Sequence, residues 1–124
     1  MPEHRLVPPF DRAALAAMRT GLPRDAFDDV LRTFATSVGH NCAALQAALR
    51  DRDRRSLRSL GHGIAGSAAT FCAAPLAAVA LELQNCALAG RWDDVEAAAG
   101  RLLTEAERVT AAVAGWSQPS GEAQ

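Results

Sequence analysis

The 124-residue chain has no tyrosine, and aromatic residues make up only 5% of it. Its core must therefore be built from leucine, valine and abundant alanine, small residues that favour close helix packing. It also lacks a charge imbalance. Thirteen basic and fourteen acidic residues leave a net charge of -1 and a pI near 6.3, which excludes the electrostatic footprint of a nucleic-acid binder. The cysteines, Cys42, Cys72 and Cys86, are odd in number and lie within apolar helical patterns. That argues against a disulfide framework and for small buried thiols in a reducing compartment. The first ten residues hold three prolines and the charged Glu3 and Arg5, with no apolar run of the kind a signal peptide needs. Ile64 to Leu81 carries no charge and approaches membrane-spanning length. It is rich in alanine, however, with Gly66, Ser67, Thr70 and a central Pro75, so it reads as two helix faces meeting at a turn. A soluble, cytoplasmic protein with no membrane partner is expected.

Proline and glycine fall between periodic segments, which points to an all-α fold, and the length suits one core. A short helix over Asp11 to Thr20 carries Leu15 and Met18 and stops at Gly21. Pro23 opens a second helix running to about Arg50, with Phe27, Val30, Leu31, Phe34, Val38, Cys42, Leu45 and Leu49 at three- and four-residue steps. Asp53 is positioned to cap a third helix, which closes near Ala73. Pro75 begins a fourth, with Leu76, Val79, Ala80, Leu83 and Ala87 inward and Gly90 as its stop. For the last helix, Asp93 is the expected N-cap, with Glu96 reaching back and Trp92 covering its start. Its seam is Val95, Leu102, Ala106, Val109, Val113 and Trp116. Four long helices after one short one predict an antiparallel four-helix bundle over residues 10–116, with flexible segments at 1–9 and 117–124.

One residue breaks the pattern. At about 100° per residue, Leu57, Leu60, Ile64, Ser67 and Phe71 share a narrow stripe, and His62 lies roughly 170° from its centre. A core histidine would sit on the stripe. Ala65, Gly66 and Ala69 around it are small, so its own helix does not shield the imidazole. An exposed imidazole accepts a phosphoryl group on a ring nitrogen and releases it to a carboxylate, provided a partner brings the aspartate and metal.

The run His62-Gly63-Ile64-Ala65-Gly66-Ser67-Ala68-Ala69-Thr70-Phe71 resembles the histidine-containing phosphotransfer (HPt) domain family. The family motif is His, any residue, an aliphatic, Lys, Gly, Ser, then small residues. The likeness extends to Phe10-Asp11, to the Asp53 cap, and to Leu76 through Arg91-Trp92-Asp93. It implies that His62 is the phosphoacceptor, Gly66 the close-approach glycine, Ser67 the motif serine, and Gln84 a polar residue on the facing helix within reach of the ring. Ala65 departs from the pattern by replacing the lysine, and Cys72 replaces a helix-end glycine. Arg58, one turn before His62, is the candidate to offset phosphoryl charge in the lysine's place.

The expected function follows from that resemblance. The protein takes a phosphoryl group from a receiver-domain aspartate and passes it to another receiver. Partners are receivers of response regulators and of a hybrid sensor histidine kinase, and the protein acts as a monomer. It needs no cofactor of its own, because Mg²⁺ is expected on the receiver. With no phosphate-cradling glycine loop it has no means of binding ATP and should not phosphorylate itself. Ala65, Gly66 and Ala69 form the expected centre of docking, with Arg58 and Gln84 at its edge. Arg50, Arg52, Arg54, Arg55 and Arg58 read either as a docking patch or as a solvated face balanced by Asp51 and Asp53. His4 is expected to be inert, and His40 with Cys42 has the wrong spacing for a metal site. The alternative function is a phosphorylation-independent module that docks receivers without accepting phosphate, a reading motivated by Ala65.

Overall fold

The computed structural model describes residues 7–117, which form five α-helices and no strand. Helix α1 spans Arg12–Thr20, α2 Arg24–Arg50, α3 Arg54–Thr70, α4 Ala74–Cys86 and α5 Trp92–Ser117. Helices α2 to α5 form the antiparallel bundle. Each packs on its sequence neighbour, α5 closes the ring against α2, and α3 lies closest to α4. Val38, Leu45, Leu57, Ile64, Leu76, Leu83, Val95, Leu102 and Val109 fill the core with essentially no exposure. Each such side chain contributes about 1.5–3 kcal/mol by leaving water.

The two turns that flank α3 share one construction. The amides of Arg52 and Asp53 return to the carbonyls of Leu49 and Ala48, and those of Cys72 and Ala73 return to Ala69 and Ala68. This double closure needs a left-handed residue just past each helix end. Arg52 (φ 50°) and Cys72 (φ 63°) occupy those positions although neither is glycine. Asp53 then caps α3 through the amide of Ser56 at 3.1 Å and the Ser56 hydroxyl at 2.7 Å. Those donors hold its carboxyl below the ordinary range.

Each end of the bundle has its own aromatic closure. At one, Phe10 meets Phe34 edge-on at 6.4 Å and Trp116 at 5.1 Å, while Phe34 stacks on Phe71 at 4.6 Å. The amide of Asp11 donates to the carbonyl of Cys72 at 2.8 Å, tying the start of α1 to the α3–α4 turn. At the other end Arg54 donates to the carbonyls of Ala87 (3.0 Å) and Gly90 (2.8 Å), and both Arg52 and Arg54 lie over the Trp92 ring.

Several sequence expectations are corrected. Helix α3 stops at Thr70 rather than near Ala73, because the left-handed Cys72 breaks it. Helix α5 begins at Trp92, so Asp93 lies in its first turn, where its charge suits the helix dipole, and does not serve as the N-cap. Val30 and Trp116 are 40% and 42% exposed, at the margins of their apolar stripes. The three thiols are free but half-buried rather than buried, and Cys72 sits in a turn. Residues 7–9 of the leading segment are described and leave that expectation untested, with the Val7 carbonyl accepting a hydrogen bond from Arg108. Residues 1–6, which include His4, and 118–124 lie outside the described residues.

Candidate functional site

The buried line of α3 is Leu57, Gly61, Ile64 and Ala68, while Leu60, Ser67 and Phe71 are only half-buried. The inward centre is therefore turned towards α4 relative to the stripe expected from sequence. The cause is Gly61. A Cβ at this position would fall 2.9 Å from the Ala80 carbonyl oxygen and 2.9 Å from the Gln84 nitrogen. Real Cβ atoms do not approach backbone that closely, so glycine alone permits this contact between α3 and α4. Sequence reasoning missed Gly61. Its signal was the cost, about 0.5–1 kcal/mol relative to alanine, of placing glycine inside a helix.

His62 follows directly and is exposed, as its phase required. Among the described residues its imidazole has no hydrogen-bond or ion-pair partner. Arg58, one turn before it on the same face, is also exposed, and among the described residues it has no ion-pair partner, Asp51 and Asp53 included. Gly66 and Ala69 continue the exposed face, and a Cβ at Gly66 would meet nothing within 4 Å. Ala65 is half-buried rather than exposed, because the turn of the helix sets it against the α4 side. The Ser67 hydroxyl donates to the Ile64 carbonyl at 3.3 Å, one turn back, and leaves its helix face without a free donor.

Gln84 is half-buried on α4. Its backbone against Gly61 puts it level with the turn that carries His62. The arginine cluster divides. Arg52 and Arg54 hold the bundle end at Trp92, which leaves Arg50, Arg55 and Arg58 on the surface. His40 is exposed on α2, and among the described residues no group of three His, Cys, Asp or Glu side chains is placed to hold a metal. Burial pushes the Cys42 thiol up, away from the thiolate form that would ligate. No helix among the described residues is long and apolar enough to cross a membrane.

A four-helix bundle with an exposed histidine beside Gly66 and Ala69 on one helix face has the arrangement of the helical phosphotransfer domains. The crystal structure of histidine-containing phosphotransfer protein B from Pseudomonas aeruginosa PAO1 has this fold, with a TM-score of 0.81 over 90% of this chain and 96% of that one. Identity between the two is 24%, so the likeness speaks for the fold. No curated protein matches the sequence. The family model described as Hpt domain matches residues 29–112, and the chain belongs to that family. It is a histidine phosphotransfer component of two-component phosphorelays, and its partners are receiver domains.

Proposed function

We propose that His62 is the residue that carries the phosphoryl group. The observation behind this is its exposed, unpartnered imidazole, followed one turn later by open space at Gly66. A neutral ring nitrogen attacks phosphorus of the receiver's aspartyl phosphate. The N–P bond forms, the acyl O–P bond breaks, and the aspartate leaves as a carboxylate. The reverse step on a second receiver regenerates the imidazole.

Gly66 and Ala69 let the receiver close on the ring, and Arg58 faces the incoming charge. Gln84 lies near enough in register to hydrogen-bond the ring or the phosphoryl group. Mg²⁺ belongs to the receiver, where it neutralises phosphoryl oxygens. The donor is a receiver within a hybrid sensor kinase, and the protein works as a cytoplasmic monomer without autokinase activity. No observation favours the phosphorylation-independent docking module.

Incubation with a phosphorylated receiver and Mg²⁺ should give an acid-labile, alkali-stable phosphoprotein. Loss of that label in a folded His62→Gln variant is the expected result. Equal labelling of that variant would move the site elsewhere.

A further inference from the structure

Helix α4 has one charged residue, Glu82, which pairs with Arg101 of α5 at 2.7 Å in a groove whose edge Leu81 also lines. Apart from Gln84 and Asn85 the rest of α4 is apolar, yet only one side of it is buried. A helix of that composition is normally covered. Its largest uncovered side chains are Leu81 and, in the turn just past the helix, Leu88, exposed by 48% and 52%. With Ala77 and Gln84 they recur at four-, three- and four-residue steps, so they form one stripe along α4, with Gln84 next to α3 and Leu81 on the crest between α3 and the α5 groove.

The register between α3 and α4 fixes what lies across from that stripe. Arg54 reaches the Ala87 carbonyl, and Gly61 touches the backbone of Ala80 and Gln84. His62 is therefore level with Leu81 and Gln84, and Leu88 is level with the turn before Arg58. On α3, Arg58, His62, Ala65 and Ala69 recur at four-, three- and four-residue steps and border the same crevice. Arg58 is the one charge on the two stripes, and it is a cation.

We infer that the receiver docks astride the α3–α4 crevice, with Leu81 and Leu88 as its apolar anchors. This rests on His62 being the phosphoacceptor. Transfer requires reacting atoms about 3–3.5 Å apart, so the receiver must cover whatever borders the ring. The α4 stripe beside the ring, Ala77, Leu81, Gln84 and Leu88, holds no carboxylate, and Arg58 on the facing α3 stripe is offered to an anionic aspartyl phosphate. The groove on the α2 side of α3 is lined by Ala44, Ala47, Asp51 and Ser59 and has no exposed large apolar side chain, while Val30, 40% exposed, lies further along α2, beyond the end of α3.

The test uses the full chain and two phosphodonors, a phosphorylated receiver and the small molecule phosphoramidate, which needs no docking surface. Leu81→Asp and Leu88→Asp should each raise the KM for the phosphorylated receiver about tenfold, the effect of losing one well-buried anchor. Labelling by phosphoramidate should stay at the wild-type value and the circular dichroism melt should show a folded helix with at most a few degrees' loss, because both leucines are about half-exposed. Val30→Asp should change the KM by less than about twofold. Unchanged KM in the leucine variants, or a larger rise with Val30→Asp, overturns the α4 footprint while leaving His62 in place. Wild-type protein that takes no label on His62 from either donor overturns the phosphoacceptor reading, and the footprint falls with it.

Discussion

The backbone of Gln84 packs against Gly61 so closely that an added Cβ would stand 2.9 Å from the Gln84 nitrogen and 3.2 Å from its Cα. One glycine thus sets the spacing of α3 and α4 beside His62. Gly61→Ala must push α4 outward or distort α3, and overpacking of this kind costs about 1–3 kcal/mol. Gly63, two residues on, has nothing within 4 Å of its would-be Cβ. Gly63→Ala should therefore gain helix propensity, up to about 1 kcal/mol. Urea denaturation of the two variants should give shifts of opposite sign. A Gly61→Ala variant as stable as wild type would show that α4 is free to slide.

Cys72 stands where a helix of this family usually ends on glycine, and its φ of 63° explains the preference. A left-handed conformation costs a non-glycine residue roughly 1–2 kcal/mol, of which glycine's looser unfolded chain returns part. Cys72→Gly should therefore stabilise the bundle by about 0.5–1 kcal/mol. Arg52 has the same strain but also lies over Trp92 at 4.9 Å. Arg52→Gly should gain less, since the cation–π contact is lost with the side chain. Thermal melts of both variants give the comparison.

Asp53 caps α3, and the Ser56 hydroxyl and amide hold its carboxyl below the ordinary value of 3.8. A carboxyl depressed in the folded state contributes stability that is complete above its unfolded value. That contribution is lost as pH falls through the folded value. Asp53→Ala should lower the melting temperature by a few degrees at neutral pH. The gap between variant and wild type should narrow only below about pH 4. A gap that already closes between pH 7 and 5 would mean that another group governs the cap.

The long helices and the exposure of His62 were legible because apolar period and phase are local properties of a sequence. Leu57, Ile64, Leu76, Leu83 and Leu102 all fall in the core as their spacing required. What was not legible depends on neighbours distant in the chain. Gly61 is inward only because α4 comes to backbone contact, and no spacing within α3 announces that. Ala65 shared a face with Gly66 on a helical wheel, yet the tilt that Gly61 permits leaves it half-buried. The arginines at 52 and 54 looked like their neighbours 50, 55 and 58. Their commitment to Trp92 and to the carbonyls of Ala87 and Gly90 joins positions more than thirty residues apart. Capping of α5 failed for a simpler reason: Trp92 entered the helix, which moved Asp93 inside it.

All thirteen basic residues of the chain are arginines, so no lysine anywhere substitutes for the one that Ala65 replaces. Arg58 is the exposed cation one turn from His62, and among the described residues it has no carboxylate partner, so in the proposed reaction its charge is free to act on the phosphoryl group. Arg58→Ala should slow phosphorylation of His62 by at most about tenfold, the reach of an exposed charge in water. Ala65→Lys in the same background should recover part of the loss. Because Ala65 is half-buried, the added lysine must extend along the α3–α4 crevice, which keeps its ammonium on the His62 side. Both differences should shrink at high salt, since screening acts on exposed charges first. The measurement is the initial rate of phosphoryl uptake from a phosphorylated receiver at low and at high ionic strength. Equal rates for wild type and Arg58→Ala at low salt would assign the balancing charge to the receiver alone.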